Sequence, residues 1–163
     1  MSEPCAMPEP QAEHKMLLQG VGNWNVAGKF YMDPSQPPME STGKEVVEAL
    51  GAFWVVGHYS SEFMGMPFNG VSKMGYLPAE GCYVSTWIDS MMPFLFVLKG
   101  KMEADGKTLV LKGDGPNFMT GEGTIPHKMT TVFDGPDRHV MAMYAEAPGM
   151  GEIKMMEMIY TRA

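Results

Sequence analysis

Phe96-Val97-Leu98-Lys99-Gly100-Lys101-Met102-Glu103, then Ala104-Asp105-Gly106-Lys107, then Thr108-Leu109-Val110-Leu111-Lys112, decides the class of fold. Lys99, Lys101 and Glu103 fall at every second position, so a strand carrying them outward turns Phe96, Leu98, Gly100 and Met102 to the other face. Lys112 outward likewise leaves Leu109 and Leu111 inside. Asp105-Gly106 supplies the residues that tolerate the positive φ of a tight hairpin. Two strands, each with one wet and one dry face, follow.

The same grammar extends in both directions. Leu77-Pro78-Ala79-Glu80-Gly81, Asp134-Gly135-Pro136-Asp137 and Pro148-Gly149-Met150-Gly151 are turns, and Asp33 to Pro38 is a proline-rich loop. Between them the pattern predicts ten strands, near 22–32, 44–50, 53–63, 69–76, 82–89, 94–103, 107–114, 124–133, 138–146 and 152–162. Before them, Glu13 to Gly20 predicts a short helix stopped by Gly20 and Gly22. The expected architecture is all-β: a closed antiparallel up-and-down barrel with a short N-terminal helix, closure removing the edges. Residues 12–163 form its single domain and 1–11 a loosely ordered leader.

Alternation assigns faces elsewhere. His139, Met141, Met143 and Ala145 share the inner face of the ninth strand. In the tenth, Glu152, Lys154 and Arg162 outward put Ile153, Met155, Glu157, Ile159 and Thr161 inside. An interior Glu157 costs several kcal/mol unless paired or hydrated, so this reading requires a wet cavity.

Composition narrows the partners. Twelve scattered Lys and Arg against nineteen Asp and Glu give a net charge of −7, which excludes nucleic acid and anionic lipid surfaces as partners. No run nears the ~20 apolar residues of a membrane span. The leader lacks the apolar stretch of a secretion signal, so a cytoplasmic location is expected. Cys5 and Cys82 have no CxxC partner and are not expected to pair.

Gly22-Asn23-Trp24 opens the first long strand after the short helix, and Arg162 ends the last; together they resemble the opening tryptophan and closing basic residue of the calycin superfamily, which includes lipocalins and fatty-acid-binding proteins. Trp24 and Arg162 are then the expected barrel-closing pair. Phe68-Asn69-Gly70, Gly75-Tyr76-Leu77-Pro78, Tyr83 to Ser90 and Met156 to Arg162 are similar to the bacterial domain of unknown function 1579 family, Leu77 being a minor departure. The resemblance implies a calycin-like barrel and no particular activity.

The chemistry-bearing residues admit sharp and bland readings. Nineteen methionines include the i,i+2 pairs Met64/Met66, Met141/Met143 and Met156/Met158. Thioethers select Cu(I), yet no Cys or His recurs among these pairs, so adaptable apolar lining is the better reading. Among His14, His58, His127 and His139, the pair His127 and His139 invites comparison with haem barrels of the nitrobindin kind, but their Gly-rich opening is absent. No metal or cofactor is expected. Ser85, Asp89 and Glu157 lack a nucleophile elbow. Trp54, Tyr76, Tyr83, Trp87, Phe94 and Phe96 cluster on strands three to six. If the Tyr83, Ser85, Trp87, Asp89 face is internal it forms a pocket wall with polar handles; if external, a homodimer patch. The internal choice is preferred.

The expected function is non-catalytic binding of a small hydrophobic or amphipathic molecule. Tyr76, Trp87, Phe96, Met141 and Met143 supply its walls, and Glu157, with His127 or Asp89, its polar end. The alternatives are an isomerase or cyclase using Glu157 as base, and a packed barrel serving as an interaction or oligomerisation module.

Overall fold

The computed structural model describes residues 5–163, so the first four residues of the expected leader lie outside it; residues 5–10 carry no regular structure. Helix α1 (Ala12–Leu18) is followed by β1 (Gly22–Phe30), β2 (Met39–Leu50), β3 (Trp54–Phe63), β4 (Met66–Leu77), β5 (Cys82–Asp89), β6 (Phe96–Met102), β7 (Thr108–Pro116), β8 (Thr124–Phe133), β9 (Arg138–Ala147) and β10 (Gly151–Arg162). Each strand pairs antiparallel with its sequence neighbour, and β1 pairs with β10, closing the barrel. Closure satisfies every strand and leaves no edge to template aggregation. No helix among the described residues is long and apolar enough to cross a membrane. Cys5 is exposed, Cys82 buried, and both thiols are free.

One end of the barrel is a floor. There α1 drives Leu17 into a cluster with Val55, Tyr83, Leu98, Leu109 and Leu111. The Gln11 N–H donates to His14 Nδ1 at 2.9 Å, which leaves Nε2–H of this buried ring to donate to the Tyr76 carbonyl at 3.1 Å. A helix of seven residues would not hold alone in water; these tertiary contacts fix it. Beside it the Arg162 guanidinium lies 4.3 Å over the Trp24 ring. Arg162 donates to the carbonyls of Gln19, Val21 and Pro136 and to Asp137, joining the helix end, β1 and the β8–β9 turn. Gly22 has φ +139°, and a Cβ there would meet the Arg162 guanidinium at 2.6 Å, so glycine is required next to the plug.

Two expectations need correction. β2 begins at Met39, five residues before the predicted strand, because the polar, glycine-containing Met39-Glu40-Ser41-Thr42-Gly43 reads as loop yet pairs throughout with β1. Ser41 and Gly43 are small where Met158 and Tyr59 supply the bulk from neighbouring strands. The second correction concerns β10. Its register shifts between Lys154 and Met156, a bulge that reverses the alternation beyond it. Ile153 and Met155 line the interior as expected, but beyond the bulge Met156, Met158 and Tyr160 do, and Glu157, Ile159 and Thr161 do not. One extra residue inverted the face assignment of half the strand.

Candidate functional site

The barrel encloses a cavity of about 1540 Å³, larger than the roughly 300–1,000 Å³ of most small-molecule sites. Fourteen of the nineteen methionines touch it. Register explains why they cluster: Met129 of β8 pairs with Met143 of β9, which pairs with Met156 of β10, and Met141 pairs with Met158 in the adjacent row. Unbranched thioether chains make this wall deformable, able to close on ligands of irregular shape.

The mouth lies opposite the floor, and each of its five loops carries methionine: Met32, Met64, Met91 with Met92, Met119 and Met150. All are exposed, as are Leu95 and Phe118 beside them. The four floor connections, 51–53, 78–81, 103–107 and 134–137, contain none. Exposed apolar side chains ring this one opening, continuous with the apolar interior.

The β5 face carrying Tyr83, Ser85, Trp87 and Asp89 is internal. Trp87 Nε1 donates to Asp89 Oδ2 at 2.9 Å, and the Met91 and Met92 N–H groups donate to Oδ1 at 2.9 and 3.0 Å. Asp89 therefore ties the indole to the mouth loop and has its oxygens occupied. The Trp87 ring reaches over Gly70 of β4, the ladder partner of Asp89, where a Cβ would collide with it at 2.1 Å, so only glycine leaves it room. Phe96 and His127 pack edge to face at 5.7 Å on the same cavity wall. His127 Nδ1 donates to the Ile125 carbonyl at 3.0 Å, which leaves Nε2 as its acceptor. Met141 and Met143 line the wall as well.

Two residues of the expected site stand elsewhere. Tyr76 belongs to the floor, 5.0 Å from Tyr83 and 5.7 Å from His14 ring to ring, and does not touch the cavity. Glu157 forms an ion pair with Lys154 and does not line the cavity, so it is neither a cavity carboxylate nor an interior base. The bulge in β10 is the physical reason.

The interior carboxylate is instead Glu45 of β2, 9% exposed and on the cavity wall. Its strand neighbours across the ladders are Trp24 and Tyr59. Burial pushes its pKa up to about 7, the Ser72 hydroxyl giving partial relief. Tyr160, fully enclosed, has its phenol pushed well up by burial and by the charges of Glu45 and Tyr59. On the other side His139 stacks on Tyr160 at 4.5 Å and meets Trp24 edge to face at 4.7 Å; burial, then the Arg162 charge, lowers it to about 4. Sequence reading passed over Glu45 because Gly43-Lys44-Glu45-Val46-Val47-Glu48 places charge on both faces, and Val46, not Glu45, is exposed. The signal was Gly57 and Ser72, small residues that make room for a carboxylate only once strand pairing is known.

Solved structures share this fold. Rv2717c from M. tuberculosis superposes with a TM-score of 0.69 at 15% identity, covering 95% of this chain and 99% of that one. The S-type phycobiliprotein lyase CPES from Guillardia theta gives 0.65 at 14%, covering 94% and 98%. The barrel EF1p2_mFAP2b, bound to DFHBI, gives 0.50 at 11%, covering 93% and 100%. At such identities the likeness is one of fold. No curated protein matches the chain significantly. A model of proteins of unknown function, DUF1579, matches residues 9–162, nearly the whole of the barrel and its helix, and the chain belongs to that family.

Proposed function

We infer that the protein binds a small hydrophobic or amphipathic molecule inside its barrel, entering at the methionine-rich mouth, without transforming it. One observation carries this reading: a cavity of about 1540 Å³ whose lining is mainly apolar, with a few polar groups at fixed places. A core meant only for stability would be filled, because empty volume forfeits dispersion contacts and destabilises. Trp87, Phe96, Met141 and Met143 are its walls; His127 and Asp89 offer polar edges, Asp89 chiefly by orienting Trp87. Tyr76 and Glu157 take no part. The DFHBI-bound barrel supports the reading to the extent that a barrel of this shape can hold a small molecule. Two free thiols accord with a reducing, cytoplasmic setting.

Native mass spectrometry of protein purified from its own host tests the reading. A retained non-protein mass is expected. A bare chain mass, with no thermal shift across a panel of neutral lipids and haem, would refute it.

A further inference from the structure

We propose that Glu45 is a recognition site for the protonated amine of an amphipathic ligand whose apolar body fills the cavity. The inference rests on the binding function inferred above and adds the class of head group.

Glu45 is nine-tenths buried, yet none of the ion pairs among the described residues includes it. Two cations, Lys107 and Lys154, line the cavity, and Arg162 lies at its floor. Lys154 pairs with Glu157, Lys107 sits in a floor turn, and Arg162 is held below Trp24 by Asp137 and three carbonyls. A carboxylate taken out of water without a counter-charge is costly, and the cost is removed by whatever cation reaches it. A carboxylate ligand would instead add a second negative charge. A neutral ligand would relieve the penalty only in part, as the Ser72 hydroxyl does. Only a cation turns this group from a liability into affinity.

The surroundings suit an ammonium. Tyr59 and Trp24 flank Glu45 across the ladders, and Tyr160 lies close enough for the two groups to feel each other's charge. Aromatic faces beside a carboxylate stabilise a cation through their quadrupoles, more strongly where water is scarce. The Ser72 hydroxyl offers a further acceptor. Asp89, the other acid on the wall near Trp87, already accepts three hydrogen bonds and competes poorly.

An amine bound to Glu45 requires the carboxylate ionised, so binding is linked to its titration. The titratable groups facing it are Tyr59 from β3 and Tyr160 from β10, with His139 of β9 behind Tyr160. The Tyr160 phenol stays protonated, and His139 neutral, from about pH 5 to about pH 8. Glu45 is then the group that titrates.

The test uses the full chain, followed by tryptophan fluorescence, with dodecylamine, 1-dodecanol and dodecanoate below their micellar concentrations. An alkylamine stays protonated at about pH 8, as lysine does. Dodecylamine is expected to bind at least roughly tenfold more tightly than 1-dodecanol, and dodecanoate more weakly than either. Its affinity should fall about tenfold per pH unit below about pH 7. Glu45→Gln should abolish both the preference for the amine over 1-dodecanol and the pH dependence, with near-ultraviolet circular dichroism showing that the variant is folded. Equal binding of amine and alcohol, or an amine affinity unaffected by E45Q, would overturn the amine proposal and leave the cavity reading standing. Failure of all three probes to bind would overturn both.

Discussion

Gly57 makes the space that Glu45 occupies: a Cβ built on Gly57 would lie 2.4 Å from Glu45 Oε1 and 2.5 Å from Ser72 Oγ. The three residues sit on neighbouring strands, β2, β3 and β4, and the missing side chain in the middle lets the outer two meet. Gly57→Ala should cost roughly 1–3 kcal/mol through overpacking. In a Glu45→Ala background the same methyl enters vacated space, so a double-mutant cycle in urea should show about 0.5–3 kcal/mol of coupling. Strict additivity would mean that the carboxylate does not fill that space.

Glu45 and His139 drive the pH dependence of stability in opposite directions. Burial lifts Glu45 from 4.5 to about 7, so between those values the folded state holds a proton the unfolded chain has released, and stability falls as pH rises. Burial and the Arg162 charge lower His139 from 6.5 to about 4, so there the unfolded chain holds the extra proton, and stability rises with pH. The first effect amounts to roughly 3 kcal/mol over its full range and the second to somewhat less, His139 being less enclosed. Wild type should therefore be nearly flat between about pH 4.5 and 6.5. E45Q should gain stability as pH rises through that window, and His139→Phe should lose it. Urea midpoints in a pH series would show this, and slopes of the same sign in both variants would contradict it.

The fold was legible because closure, alternation and turn chemistry agree. Lys99, Lys101 and Glu103 oriented β6, Asp105-Gly106 turned the hairpin, and Gly22-Asn23-Trp24 with Arg162 marked the floor. The walls were legible where alternation ran unbroken: Phe96, Met141 and Met143 line the cavity as their strands required, whereas alternation alone left the facing of Trp87 and His127, which also line it, open. It failed at β10, where a bulge after Lys154 leaves no sequence mark and took Glu157 off the cavity wall. It failed again at Glu45, whose burial depends on Gly57 and Ser72 from other strands. Such packing is a property of register, and register is not local.

Arg162 closes the floor with a fork of donors that lysine lacks. Its Nε reaches Asp137 at 2.9 Å, and its two terminal nitrogens reach Val21, Gln19 and Pro136 carbonyls at 3.0, 3.0 and 2.8 Å. The planar group also stacks on Trp24. Arg162→Lys should lose about 1–3 kcal/mol and Arg162→Ala about 3–5 kcal/mol, since three carbonyls are left without their donor. Near-ultraviolet circular dichroism should show Trp24 loosened in both. A cost below about 0.5 kcal/mol for Arg162→Lys would show that charge alone, without the fork, holds the floor.

The β3–β4 hairpin turns through Met64 and Gly65 at φ +50° and +77°, a two-residue loop in which both residues are left-handed. Glycine accepts that conformation freely; methionine does not, its Cβ crowding the following carbonyl at about 1–2 kcal/mol. Met64 is also among the most exposed apolar residues, at 78%, so packing offers little in return. Asparagine tolerates the left-handed region and favours this turn type. Met64→Asn should therefore stabilise the protein by roughly 0.5–1 kcal/mol, raising Tm by a few degrees. If the exposed thioether serves the mouth, the same variant should also bind 1-dodecanol with a faster off-rate. A variant less stable than wild type would show that Met64 makes contacts that outweigh its backbone strain.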